Sequence, residues 1–98
     1  MTEPRTTITH VDPLSGHWLR LSFAEGEVHD VDVSEVLATG GVFAAIRDNR
    51  EVLEAIRVDP EFGTIEWPAG VDIDPDVLRG DQPPASGVRL PRRVVQAA

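Results

Sequence analysis

The chain has 98 residues, 41% of them hydrophobic, a formal net charge of −8 and no cysteine. A chain of this length builds one small core that buries roughly 60 to 65% of its unfolded surface, so we expect a single domain of modest stability. The lack of cysteine excludes disulfides, thiolate metal sites and cysteine nucleophiles, and all nine basic residues are arginine, which excludes lysine chemistry.

Negative charge is concentrated in the first four-fifths of the chain. Residues 1–79 carry six arginines against sixteen acids, a net charge of −10, whereas residues 80–98 carry three arginines against one aspartate, a net charge of +2. Such a field repels the phosphates of nucleic acids and favours basic partners. No apolar run reaches the roughly 18 residues that span a bilayer, and no signal peptide is recognisable, so we expect a cytoplasmic protein without membrane association.

Three strands are predicted at the start of the chain. Residues 8–11 form the first, followed by a loop at 12–16. Residues 17–23 alternate in polarity, which indicates a half-buried strand. The core face of this strand holds Leu19, Leu21 and Phe23, and Trp18 lies on the opposite face. The dipeptide Glu25-Gly26 predicts a hairpin into an antiparallel third strand at 27–33.

A helical segment follows. Ser34 is predicted to cap a short helix at 35–38 that Gly40-Gly41 ends. Asp48, with Glu51 three residues later, is the predicted start of a further helix. The apolar side of this segment is assigned to Val42, Phe43, Ile46, Val52, Leu53 and Ile56.

A second hairpin is predicted from residues 56–59 and 64–67, joined by a turn at 59–63. Pro68 ends the last strand because it cannot donate a backbone hydrogen bond, and Gly70 supplies the freedom that a sharp turn needs. Asp74 followed by Pro75 is typical of a capped helix start. The resulting order, β-β-β-α-β-β-α, predicts an α+β fold with one small, mostly antiparallel sheet and helix packed on one face.

Composition divides the chain into two parts. Residues 1–80 are expected to form a single acidic α+β domain, and residues 81–98 a tail containing proline and arginine that is flexible or ordered by a partner. Two other arrangements stay open for the tail: it lies on the acidic body, or it extends the sheet as an edge strand.

No pattern of residues indicates catalysis or a bound cofactor. Asp72, Asp74 and Asp76 alternate like calcium ligands of an EF-hand, but the loop lacks the glycine and glutamate of that motif, so turn and cap roles are favoured. Whether this run binds any ion stays open. His10, His17 and His29 follow no zinc spacing, and no serine lies in a nucleophile elbow. We therefore expect no enzyme activity, no cofactor and no metal site.

Several separate segments resemble one known family. Trp67-Pro68-Ala69-Gly70-Val71-Asp72 followed by Pro75, with upstream Phe23-Ala24-Glu25-Gly26-Glu27, Val31-Asp32-Val33-Ser34 and Val42-Phe43, resemble the bacterial domain-of-unknown-function family number 2442 over about residues 8–79. The resemblance implies the fold more than the function, because the family has no established activity. It also implies an association, since members are frequently encoded beside another small protein in the manner of toxin–antitoxin pairs.

The favoured hypothesis is an acidic protein-interaction module, antitoxin-like, that binds a small basic protein. Complementary charge would speed the encounter, and apolar side chains would anchor it. The candidate partner-binding residues are Trp18, Trp67, Asp72, Arg89, Arg92 and Arg93. Two alternatives stay open: nucleic-acid binding or autoregulation through the tail arginines, which the few basic residues disfavour, and a structural homodimer.

Overall fold

A computed structural model describes residues 7–68, 70–73, 78 and 87–97 of the chain. These residues form seven strands and three short helices, in the order β1 (Ile8–Pro13), β2 (Trp18–Phe23), β3 (Val28–Asp32), α1 (Ser34–Leu37), α2 (Phe43–Asp48), α3 (Arg50–Glu54), β4 (Arg57–Asp59), β5 (Thr64–Trp67), β6 (Val71–Ile73) and β7 (Arg92–Gln96). Within this part of the chain, no helix is long and apolar enough to cross a membrane.

The strands form two antiparallel sheets. One has the order β1-β2-β3-β7 and the other the order β4-β5-β6. The α+β class and the antiparallel pairing are confirmed, but the strands divide between two sheets instead of forming the one sheet expected. The division follows from the short connections, since each strand of the second sheet pairs with its neighbour in sequence and therefore needs no partner from the first.

All elements except β7 surround or approach one hydrophobic core. The predicted inner face of β2 is confirmed, because Leu19, Leu21 and Phe23 are all buried. Each helix contributes one buried side chain, namely Leu37, Ile46 and Leu53. The second sheet adds Ile65, Trp67, Val71 and Ile73. Alternation in the strands and single apolar positions in the helices therefore place one side of every element other than β7 against the same core.

The starts of the helices differ from the predictions. Ser34 is the first residue of α1 and makes no cap hydrogen bond to the helix; its backbone N–H and its hydroxyl both donate to Asp32 Oδ1, at 2.9 and 2.5 Å. Asp48 ends α2, and the cap of α3 is Asn49, whose side chain accepts from the backbone N–H groups of the second and third helical residues. Val42 is exposed because it precedes α2 and does not lie on its inner face.

The segment after Pro68 forms a strand that the sequence patterns did not predict. Gly70 takes a positive φ of 82°, and its backbone N–H donates to Trp67 O at 2.9 Å, which closes a tight turn into β6. The predicted helix start at Asp74 and Pro75 lies outside the described residues. Leu78 is described; it is helical and fully buried.

The tail returns to the first sheet. Of the arrangements that stayed open, the edge strand is the one adopted by Arg92–Gln96, which pairs antiparallel with β3. The proposed boundary at residue 80 stays a prediction, because residues 79–86 lie outside the described part of the chain.

Candidate protein-binding surface

A row of alternating charges crosses the outer face of the first sheet. The row consists of Asp12, Arg20, Asp30 and Arg93, one residue from each strand, and we call it the outer charge row. It forms because inward residues of β2 and β3 fill the core, which leaves the alternate positions on the outside, and because the strand register aligns those positions. Opposite charges are therefore cross-strand neighbours throughout the row.

Asp30 is the centre of this row and is fully inaccessible to solvent. Its carboxylate accepts two hydrogen bonds from Arg20, from Nε at 2.8 Å and from Nη2 at 3.1 Å, and a third from Nε of Arg93 at 2.9 Å. These bonds hold the pKa of Asp30 below its ordinary value, with the hydrogen bond from Arg20 the largest cause, against the opposing effect of burial. The carboxylate therefore stays ionised and can attract guanidinium groups.

Trp18 lies beside Asp30 on the same outer face. It is half-buried, and the guanidinium carbon of Arg93 lies 5.0 Å from the centre of its ring. This is a cation–π contact, which adds attraction for a cation already bound to a carboxylate. Trp18 and Asp30 thus form two sides of a site that Arg93 fills.

Other contacts hold the tail along β3. The backbone N–H and Nε of Arg89 donate to the two carboxylate oxygens of Glu35, at 3.1 and 2.9 Å. The backbone bond from Arg89 is the largest cause that lowers the pKa of Glu35, followed by its side-chain bond. The N–H of Asp32 donates to Pro91 O at 2.8 Å, and Nε2 of Gln96 donates to Gly26 O at 3.1 Å. Polar contacts therefore run along the whole docked segment.

Apolar burial contributes little to this docking. All five residues of β7 are exposed, including Val94 and Val95, and Arg92 makes no described ion pair. Leu90 is the one described tail residue that packs against the core cluster, and it is only partly buried. The tail is thus bound mainly by backbone hydrogen bonds and charge.

Two of the candidate residues lie away from this surface. Trp67 is fully buried, and its indole N–H donates to Leu53 O at 3.1 Å, so the side chain serves the core and offers no surface to a partner. Asp72 is exposed on β6, directly opposite Glu66 of β5. The structure therefore brings together Trp18 and Arg93, places Arg89 and Arg92 on the same tail, and separates Trp67 and Asp72 from them.

Arg20, Asp30 and Glu35 were not predicted as site residues from the sequence. One signal was available in the predicted hairpin: Arg20 and Asp30 have opposite charges and both lie on its outer face, so they could have been predicted to pair. A further missed feature is Phe62, which is exposed at the turn between β4 and β5. It lies next to Glu61, so an apolar ring and a carboxylate share that turn.

The three histidines each contact a different set of residues. His10 contacts Asp12 at 3.1 Å on the surface, and Nε2 of His29 contacts Glu27 at 2.9 Å in a largely buried position. His17 contacts the hydroxyl of Ser34 at 3.2 Å and lines an open cleft with Arg47 and Arg50. No group of three histidine or acidic side chains within metal-binding reach occurs among the described residues.

The arginines of that cleft are already paired. Arg47 donates to the carboxylate of Asp48 at 2.8 and 2.9 Å, which lowers the pKa of that carboxyl group. Arg50 donates to Glu54 and to the backbone carbonyls of Leu14 and Gly16. The bonds from Arg50 join α3 to the loop between β1 and β2, and the Arg47–Asp48 pair lies within α2, so both arginines have structural roles.

Comparison with known proteins adds one finding. No curated protein and no solved structure shows significant similarity to the chain. One family pattern matches residues 8–83, a segment that includes Trp18, Asp30 and Glu35 but stops before β7. Since the match covers most of the chain, the protein belongs to the family described as "Protein of unknown function (DUF2442)".

Proposed function

We propose that this chain is a protein-interaction module whose acidic body binds a basic partner protein. The observation that carries the proposal is the buried, ionised carboxylate of Asp30, which accepts hydrogen bonds from two arginines on the outer face of the first sheet. A net charge of −10 over residues 1–79 would guide a basic protein toward this face.

The finer proposal is an antitoxin-like role, in which the chain neutralises a small basic protein. It rests on the charge and on the association implied by the family resemblance. No catalytic role is proposed, because the charged groups of the cleft beside His17 are engaged in structural contacts.

Nucleic-acid binding through the tail has weaker support. Arg89 and Arg93 are bound to carboxylates of the body, at 2.9 Å in each case, so that of the tail arginines Arg92 alone makes no described ion pair. Phosphates would have to displace those carboxylates while also approaching an acidic surface.

The test is co-purification of the tagged full chain from its native cells, followed by reconstitution with the purified partner. We expect a small basic protein that binds with a one-to-one ratio and whose association slows sharply near 0.5 M salt, where the Debye length is about 4 Å. Recovery of the chain only with itself, or a complex whose association is indifferent to salt, would contradict the proposal.

A further inference from the structure

We propose that the edge of β3 is a binding site for an extended, arginine-bearing segment of a partner protein, and that residues 87–97 occupy this site as a built-in competitor. This inference rests on the proposed function and specifies its binding site. The partner segment would add to the sheet as a strand and would place one arginine between Asp30 and Trp18.

The first support is the separation between site and occupant. Asp30, Trp18 and Glu35 lie within the family match, residues 8–83, whereas the docked segment lies beyond it. Without β7, β3 would be the edge of its sheet, with backbone groups open to another strand. Edges of this kind bind peptides by strand addition, in which backbone bonds give affinity and side-chain sites give specificity.

The second support is the chemistry of the two side-chain sites. Arg93 lies opposite Asp30 and over Trp18, and Arg89, four residues earlier, binds Glu35. A partner segment of the form Arg-x-x-x-Arg in an extended conformation would reproduce both contacts. The acidic body supplies the long-range attraction that such a basic segment needs.

The third support is that residues 87–97 are bound weakly to the rest of the chain. The Arg89–Glu35 ion pair is exposed, since its side chains are 81% and 40% accessible, and solvent weakens a pair of this kind. The side chain of Arg93 is 63% exposed even though its partner Asp30 is buried. Every residue of β7 is exposed, so little apolar burial opposes release. The tail can therefore exchange with a competing strand while the core remains folded.

The experiment measures binding of a fluorescent peptide with the sequence of residues 87–97 to the full chain. Three chains are compared: wild type, Arg93→Ser, which weakens the internal tail, and the matched control Arg92→Ser. The control changes an exposed arginine of the same strand that has no ion pair among the described residues. We expect the Arg93→Ser chain to bind the wild-type peptide roughly fivefold more tightly than the wild-type chain does, since its site is vacant more often. The Arg92→Ser chain should match the wild type.

Peptide variants keep the test independent of the folding of any chain variant. A peptide with Arg93→Ser should bind the wild-type chain about tenfold more weakly than the wild-type peptide does, the loss of roughly one charge-assisted hydrogen bond. A peptide with Arg92→Ser should bind within about twofold of wild type. Equal binding of these two variant peptides, or no binding of any peptide, would overturn the inference.

Two further outcomes separate this inference from the proposed function. If a basic partner is captured but excess peptide does not compete with it, the edge of β3 is not its site and the proposed function stands. If the peptide binds as expected and no partner is found, the proposed function fails alone. A dimer in sedimentation that the peptide dissociates would assign the edge to a second copy of the chain and overturn the choice of occupant.

Discussion

Replacement of Asp30 by asparagine removes the charge at the centre of the outer charge row while keeping its shape. The wild-type carboxylate is fully buried and accepts three hydrogen bonds from two guanidinium groups, with donor–acceptor distances from 2.8 to 3.1 Å. The amide of asparagine can accept some of these bonds, but it cannot balance the positive charge of Arg20 and Arg93.

The expected loss of stability follows from these contacts. Asparagine has one acceptor oxygen in place of two, so at least one of the three bonds loses its acceptor, and a hydrogen bond to a charged group contributes about 1.5 to 3 kcal/mol. The arginines recover part of this by hydration, because their side chains are 42% and 63% exposed. We expect a net loss of about 2 kcal/mol from a total stability of about 5 to 15 kcal/mol, and a fall in Tm of about 8 to 16 °C.

Urea unfolding followed by tryptophan fluorescence measures this loss in the full chain. Asp72→Asn is the matched control: it removes one exposed carboxylate that lies opposite Glu66, so its free energy of unfolding should stay within about 0.5 kcal/mol of wild type. An Asp30→Asn chain as stable as this control would refute the reasoning that the buried carboxylate holds the two arginines.

Three other predictions concern pH, a turn and a helix cap. The pKa of Asp30 is lowered in the folded state, so its contribution to stability is present above its unfolded pKa of about 4 and is lost as pH falls through the folded pKa. Acid titration should therefore destabilise wild type more steeply than Asp30→Asn. Parallel curves of the free energy of unfolding against pH would contradict this. Gly63→Ala strains a backbone with a φ of +68° and also places its Cβ only 2.7 Å from Thr7 Cγ2. In the control Gly26→Ala the φ is +96°, but no atom lies within 4 Å of the added Cβ, so the urea midpoint of Gly63→Ala should be well below that of Gly26→Ala. Equal midpoints would count against the packing of Gly63 on Thr7. Asn49→Ala should lower the free energy of unfolding by about 1 kcal/mol, because Asn49 is the cap of α3. This loss should exceed that of Asp48→Ala in the same urea assay. The reverse order would support the cap at Asp48 that the sequence predicted.

Most strands and helices were predicted correctly, because strand alternation and turn residues depend only on residues close together in the sequence. Alternation located β2 and its buried face, and the turn formers located both predicted hairpins. The cap of α3 was misplaced by one residue, since Asp48 and Asn49 are adjacent and both are good cap residues. β6 was missed because its three residues are too short for a period and were attributed to a turn.

The charged site depended on strand register, which the sequence did not specify. A two-residue connection at Glu25-Gly26 would have placed Arg20 opposite Val31. The actual loop has three residues, closed by a bond from the N–H of Phe23 to Glu27 O at 2.9 Å, and Arg20 therefore pairs with Asp30. The position of β7 could not be predicted either, because its pairing with β3 spans more than sixty positions of the chain.

Amide hydrogen exchange of the full chain tests most directly whether the tail is a separable occupant of the β3 edge. We expect the β7 amides that pair with β3, together with the Asp32 N–H that donates to Pro91, to exchange much faster than the amides of Leu19 and Leu21 in β2, and added salt to widen the difference. Equal protection of these amides and those of β2, unchanged by salt, would show that the tail unfolds only with the whole domain and would contradict its role as a separable occupant.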